Sequence, residues 1–442
     1  MTQKSTATDR YVSEFEAFDK SIDGAGPDWL RAIRRAAIER FQDVGLPTAR
    51  KGNEPWKYTN VASIVGQTFS AAPAATVSRE QIPTAVPSDD GWLTSVFVNG
   101  RYAPELSDPG SGLTAKSIHE LVQSDGAGVQ NDLGSLVGEG DGFALLNTAF
   151  FGDGAFIGNG PGSSAAKPLH IVYLSVAEGG PTVSYPRTLI VAAPQSRLSV
   201  IETYATIGDG VTFSDAVTEI VLQDGAQIDH YRLLVDNHDS FHVGQTKVKQ
   251  GRDSSFESLA FEAGAALGRH DLAVRLDEPG AECSLNGLYV TSGKQHIDNY
   301  INIDHAAPHA RSRLYYKGIL DDASRAVFGG RVLVREGAIK TNSHQEDKNL
   351  LLSDAAEADS KPSLEIYADD VICGHGATAG AVTGDELFYM QSRGLDEDAA
   401  RLLLVKGFAS EILDRTKIDS LRTHLEELTL AALPRFQDQQ TR

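Results

Sequence analysis

The segment ADDVICGHGATAG, residues 368 to 380, places Cys373 two positions before His375. Side chains alternate between the two faces of an extended strand, so this spacing turns a thiol and an imidazole to the same side. Together they are suitable donors for iron or for the edge of a metal–sulfur cluster. Two ligands fall short of the four that an intrachain site normally needs, so a functional pair requires a partner to supply the rest. The plainer reading is a small-residue turn that happens to carry two reactive groups.

Other candidates are weaker. His296, His305 and His309 cluster in HIDNYINIDHAAPHARS, with His344 and His375 further on. His305 and His309 stand at H-x-x-x-H spacing, but Pro308 between them interrupts the helix on which an autonomous zinc site carries that pair, so structural hydrogen bonding is the expectation for each. Asp321-Asp322 and Asp369-Asp370 suggest the paired carboxylates of carbohydrate cleavage, but neighbours on a strand point apart, and a turn role is expected. In GNGPG, residues 158 to 162, the next Gly is misplaced, Pro161 interrupts and no helical pattern follows, which argues against a dinucleotide loop and leaves a flexible turn as the expectation. GLYVTSGKQ, residues 287 to 295, has one residue too many between its glycines, and Gln295 stands where a phosphate loop has a hydroxyl. There is no G-x-S-x-G elbow and no C-x-x-C pair.

Short β-prone runs such as WLTSVFVNG, HIVYLSVAE and TEIVLQD, separated by Gly, Asp, Asn and Pro, dominate from about residue 91 to 385. A loose token, a small residue followed by alternating apolar positions, recurs at 196, 226, 254, 281 and 310, at spacings of 30, 28, 27 and 29. Such a period in a β-rich chain predicts stacked coils, as in a parallel β-helix; an irregular sandwich is the competing explanation.

Both ends are helical in pattern. After Pro27, the residues Leu30, Ile33, Ala37, Phe41 and Val44 recur at three and four until Gly45 and Pro47, and Val12, Phe15 and Phe18 suggest a short helix upstream. Residues 70 to 90, with three prolines, read as an extended linker rather than a packed element. Near the C-terminus Leu402, Val405, Ala409 and Ile412 share one stripe, and Ile418, Leu421, Leu425 and Leu428 a second, before Pro434. This pair would either cap the open end of a solenoid or offer a docking surface. The expected organisation is a helical region with linker over 1–90, a β-helical core over 91–385 and a helical region over 386–442.

Forty basic against 60 acidic residues, a formal charge of −20, argue against nucleic-acid binding. Two cysteines, Cys283 and Cys373, preclude a disulfide framework, and Cys283 is expected to be a buried apolar residue. The absence of a leader pattern and of long apolar runs leads to the expectation of a soluble cytoplasmic protein without membrane contact.

The run from KQHIDNYINIDHAAPHARS through ADDVICGHGATAG to LLLVKGF, residues 294 to 408, resembles the core of the SufB/SufD family of iron–sulfur cluster assembly proteins. NEPWKYTN at 53 to 60, FVNGRYAPELS at 97 to 107 and LNTAFFGDGAFI at 146 to 157 resemble the SufD branch.

The resemblance implies a right-handed parallel β-helix flanked by N- and C-terminal helices. It implies pairing with a SufB-like homologue through the β-helices, and C-terminal helices, here carrying Leu402, Val405, Phe408 and Ile412, that hold a SufC-like ABC ATPase. It places the Cys-x-His stretch at the SufB–SufD interface, with His375 the candidate ligand for iron or a nascent cluster and Cys373 a weaker one. SufB-like chains carry a further cysteine after the Gly-Phe of the C-terminal helix, but here Gly407-Phe408 precedes Ala409. The expectation is therefore a non-enzymatic accessory subunit that binds no cofactor stably alone, with a homodimer possible in isolation. The alternatives are a cluster-building SufB-like subunit and, more remotely, a polysaccharide-acting β-helix.

Overall fold

A computed structural model describes residues 2–21, 26–50, 52–110, 114–124, 128–138, 141–382 and 384–433. Its core is a parallel β-solenoid whose strands alternate between two sheets, one 11-stranded and one 10-stranded. In chain order the solenoid strands are β1 (Leu93–Val98), β2 (Ala155–Gly158), β3 (Leu169–Val176), β4 (Arg187–Ala192), β5 (Arg197–Ile207) and β6 (Thr212–Leu222). There follow β7 (Gln227–Leu234), β8 (Phe241–Gln250), β9 (Ser255–Glu262), β10 (Leu267–Leu276), β11 (Glu282–Thr291) and β12 (His296–His305). The last coils are β13 (Arg311–Leu320), β14 (Arg325–Val334), β15 (Asn342–Leu351), β16 (Glu357–Ile366) and β17 (Ile372–Ala381). Odd strands form one sheet and even strands the other, and each pairs in parallel with the strand one coil away.

The repeat read from the sequence is the register of the odd sheet. Gln227 pairs with Arg197, Ser255 with Gln227, Glu282 with Ser255 and Arg311 with Glu282, which stacks the recurring tokens one above another. Inward columns follow from that register: Ile228, Phe256 and Cys283 continue as Ser312, Ser343 and Cys373. Parallel strands covered on both faces read as near-continuous apolar runs, as the fully buried Leu169–Val176 strand does. Between coils the chain turns through left-handed residues. Asp322 and Asp370, the second residues of the two acidic pairs, have φ of 52° and 57°, the turn role expected of them.

Helices α1 (Thr2–Ser21) and α2 (Asp28–Val44) pack with α3 (Gly142–Phe150) against the even sheet, through a cluster that includes Phe15, Phe41, Phe143 and Phe213. The helix suggested by Val12, Phe15 and Phe18 is α1, which spans 20 residues. Pro27 caps α2 and Gly45, at φ 65°, ends it. Residues 70–90 are extended, as their prolines require, but they are packed. Ser70–Ala71 pairs with Thr182–Val183, and Val77 and Val86 are buried with Val96 and Leu174. Two apolar anchors are enough to hold a proline-rich segment to a sheet, and composition alone does not register them.

At the other end lie α4 (Gly384–Ser392), α5 (Glu397–Leu413) and α6 (Asp419–Ala431). They do not cap the solenoid. Val405, Ala409, Ile412, Leu421 and Leu425 are buried on the outward face of the odd sheet against Tyr231, Leu259, Leu288 and Ile319. Pro434 lies outside the described residues. No described helix is long and apolar enough to cross a membrane.

Candidate functional site at the open end of the solenoid

Cys373 and His375 lie on β17, the last strand of the odd sheet. β17 pairs with β15 alone and β16 with β14 alone, so both final strands present a free edge. In register, Cys373 stands over Ser343 and His375 over Gln345, which puts both on the inward face that in lower coils is occupied by Cys283, Leu285 and Leu314. Cys373 packs partly against the interior cluster, whereas His375 is exposed because no further coil covers it. The i, i+2 spacing thus delivers two same-side donors at an uncovered end. Among the described residues no group of three or more His, Cys, Asp or Glu is placed to hold a metal ion.

Beneath Cys373 runs a hydrogen-bonded column. His305 Nε2 lies 2.9 Å from Ser312 Oγ, which donates to Ser343 Oγ at 2.8 Å. Burial depresses the His305 pKa to about 4, so its ring is neutral and serves as a structural member, as expected for these histidines. His296 is similar: its Nε2 lies 2.9 Å from Thr59 Oγ1, and burial lowers its pKa to about 4. His309, at φ 60°, forms a turn. Partial burial raises the Cys373 thiol pKa and a contact from the Ser343 backbone opposes it. Full burial pushes the Cys283 thiol far up and keeps it inert, in the apolar role expected of it.

One coil below the open end, Asp347 is buried and accepts hydrogen bonds from Ser360 Oγ at 2.6 Å, Asn349 Nδ2 at 2.8 Å and Tyr289 Oη at 3.1 Å. Desolvation outweighs these donors and raises its pKa to about 6. Sequence reasoning missed Asp347 and Ser343, although a step of 30 residues back from Ala377 and Cys373 reaches them.

Of the residues expected to dock a partner, Val405 and Ile412 are fully buried against the chain's own sheet. Phe408 is half-buried, with the Lys317 ammonium 4.1 Å from its ring centroid, and Lys317 also donates to the Phe408 carbonyl at 2.9 Å. Leu402 is half-buried on the same cluster. The apolar stripe is therefore the seat by which α5 is held to the solenoid. What the helices leave exposed is Phe388 and Tyr389 on α4 and Leu403 on α5.

The fold defines a β-solenoid with helical attachments and an uncovered Cys-x-His end. Its sequence matches the family model for the SufBD core domain of SUF-system iron–sulfur cluster assembly over residues 173–408, and the SufBD N-terminal region over residues 5–171. The chain belongs to the SufB/SufD family. An iron–sulfur cluster assembly SufBD family protein of Synechocystis is 33% identical over 417 residues, covering 92% of each chain. SufD of Escherichia coli is 29% identical over 87% of this chain and 89% of its own, and SufD of Bacillus subtilis is 26% identical over 90% and 93%.

Proposed function

We propose that this protein is a SufD-like, non-enzymatic subunit of a cytoplasmic scaffold on which iron–sulfur clusters are assembled, joined at its open end to a SufB-like solenoid. The observation that carries the reading is the placement of Cys373 and His375 on the last, uncovered inward-facing coil. A ligand pair too small to hold a metal alone becomes useful when a second chain closes over it. Relatives named SufD, similar over most of their length, favour that branch over a SufB-like role.

The edges support association at this end. Ile372 N–H donates to Thr341 O, so by the two-residue alternation of a ladder the N–H groups of Cys373, His375, Ala377 and Ala379 face outward. β17 carries neither proline nor Asp, Glu, Lys or Arg, the features that normally blunt an edge strand. On β16, Glu357 N–H bonds to Ser324 O, which turns Pro362 toward the free edge and removes one donor there. Ile366, Tyr367 and Ile372 are exposed beside these edges. In this reading the half-buried ladder and apolar rim receive the homologue, His375 is the ligand for iron or a nascent cluster, and Cys373 is a secondary donor. The exposed residues of α4 and α5 receive a SufC-like ATPase.

Replacing His375 by Ala in a coexpressed three-component complex tests the central claim. Cluster yield is expected to fall at least tenfold while the subunits still copurify. An unchanged yield would remove His375 from the site.

A further inference from the structure

A cleft of about 610 Å³ lies between the outward face of β13, β15 and β17 and the end of α5. The ionisable side chains of that outward face and of α5 that line it are Arg313, His344, Glu346, Glu411 and Arg415; His375 borders the cleft from the inward-facing column. Both carboxylates are matched by lysines outside the lining, Glu346 by Lys348 at 2.9 Å and Glu411 by Lys317 at 2.7 Å. The guanidiniums are not matched. Arg313 is exposed and forms no ion pair among the described residues. Arg415 bonds only to uncharged oxygens, Asn286 Oδ1 at 3.2 Å and the Glu411 carbonyl at 3.1 Å, and its guanidinium carbon sits 4.9 Å from the Tyr315 ring centroid. A chain with a net charge of −20 thus carries a locally cationic cleft.

We propose that this cleft is a binding site for a small multivalent oxyanion, a polycarboxylate or phosphate, held by Arg313 and Arg415. The planar fork of a guanidinium matches two oxygens of a carboxylate or phosphate, and Tyr315 already orients that of Arg415. The volume falls within the range of small-molecule sites. None of the large exposed apolar residues, Ile339, Ile366, Tyr367, Ile372, Phe388, Tyr389 and Leu403, lines it, so it lacks the apolar anchors by which protein partners are held. A bound oxyanion would lie on the outward face of β17, opposite the inward-facing Cys373 and His375.

Titration calorimetry of the full chain tests this with citrate and, separately, inorganic phosphate at constant chloride. At least one probe is expected to bind saturably at a single site. Arg313→Gln, at an exposed position where the fold should be unaffected, is expected to weaken that binding at least tenfold, Glu346→Gln to strengthen it a few-fold, and the distant Arg252→Gln to leave it unchanged. Absence of saturable binding for both anions, or equal affinity in Arg313→Gln, overturns the assignment. Binding of an acidic peptide where both small anions fail would overturn it in favour of a protein contact. Neither iron nor a partner chain takes part, so the result is independent of the cluster-assembly reading.

Discussion

His375 stands directly over Gln345 in the parallel register, and no described strand stands over His375. Two coils further down, the same column holds Leu314 and then Leu285, both fully buried. A position that elsewhere in the solenoid is core becomes, at its last coil, an exposed donor. The exposure therefore comes from where the stack stops rather than from the local sequence.

The free edge of β17 is expected to be the adhesive one. Ala379→Pro removes an outward-facing N–H and should abolish copurification with a SufB-like partner while lowering the melting temperature by only a few degrees. Thr378→Pro deletes a ladder bond to β15 and should destabilise the chain itself. Wild-type copurification of the Ala379→Pro protein would show that pairing runs elsewhere.

Docking of the ATPase and seating of the helix should separate by mutation. Phe388→Asp combined with Leu403→Asp alters residues that are 72% and 51% exposed, and should weaken ATPase binding more than tenfold with little change in thermal stability. Val405→Asp buries a carboxylate in the interface with the odd sheet and should cost about 3 kcal/mol or more of stability. If the double variant binds the ATPase normally, the docking surface is not this face.

The buried carboxyl of Asp347 should impose a pH dependence of its own. Its folded pKa of about 6 exceeds the ordinary 3.8, so between those values the native state holds more protons than the unfolded chain. Stability contributed here falls as pH rises through that window, and the full cost, about 3 kcal/mol, is reached above pH 6. Asp347→Asn should therefore be more stable than wild type at pH 7.5, the difference vanishing toward pH 4. The difference between the two proteins is the useful readout, because His242, His296 and His305, each lowered to about 4 by burial, lose stability in the opposite direction as pH falls below 6.5. Denaturant unfolding at four or five pH values checks this, and a constant difference across the range would refute it.

Much of the fold was legible because a parallel solenoid writes its register into a period. The tokens at 196, 226, 254, 281 and 310 precede residues paired in that order, and the flanking helices follow from apolar recurrence at three and four. Helix α3 was not legible, since GFALLNTAF is apolar all round and buried on nearly every side. The same limitation affected α5: periodicity identified the stripe of Val405 and Ile412 but not what it packs against, and the chain's own sheet took it.

The sequence by itself determined the same-side geometry of Cys373 and His375, because alternation in a strand is a local property. Only the tertiary structure decided that their coil is the last, that Ser312 and Ser343 stack beneath Cys373, and that Arg313 and Arg415 line one cleft. Those facts depend on which residues lie one coil or one packed helix away. Contacts between residues 30 to about 100 positions apart in the chain are set by burial and register, which no local pattern encodes.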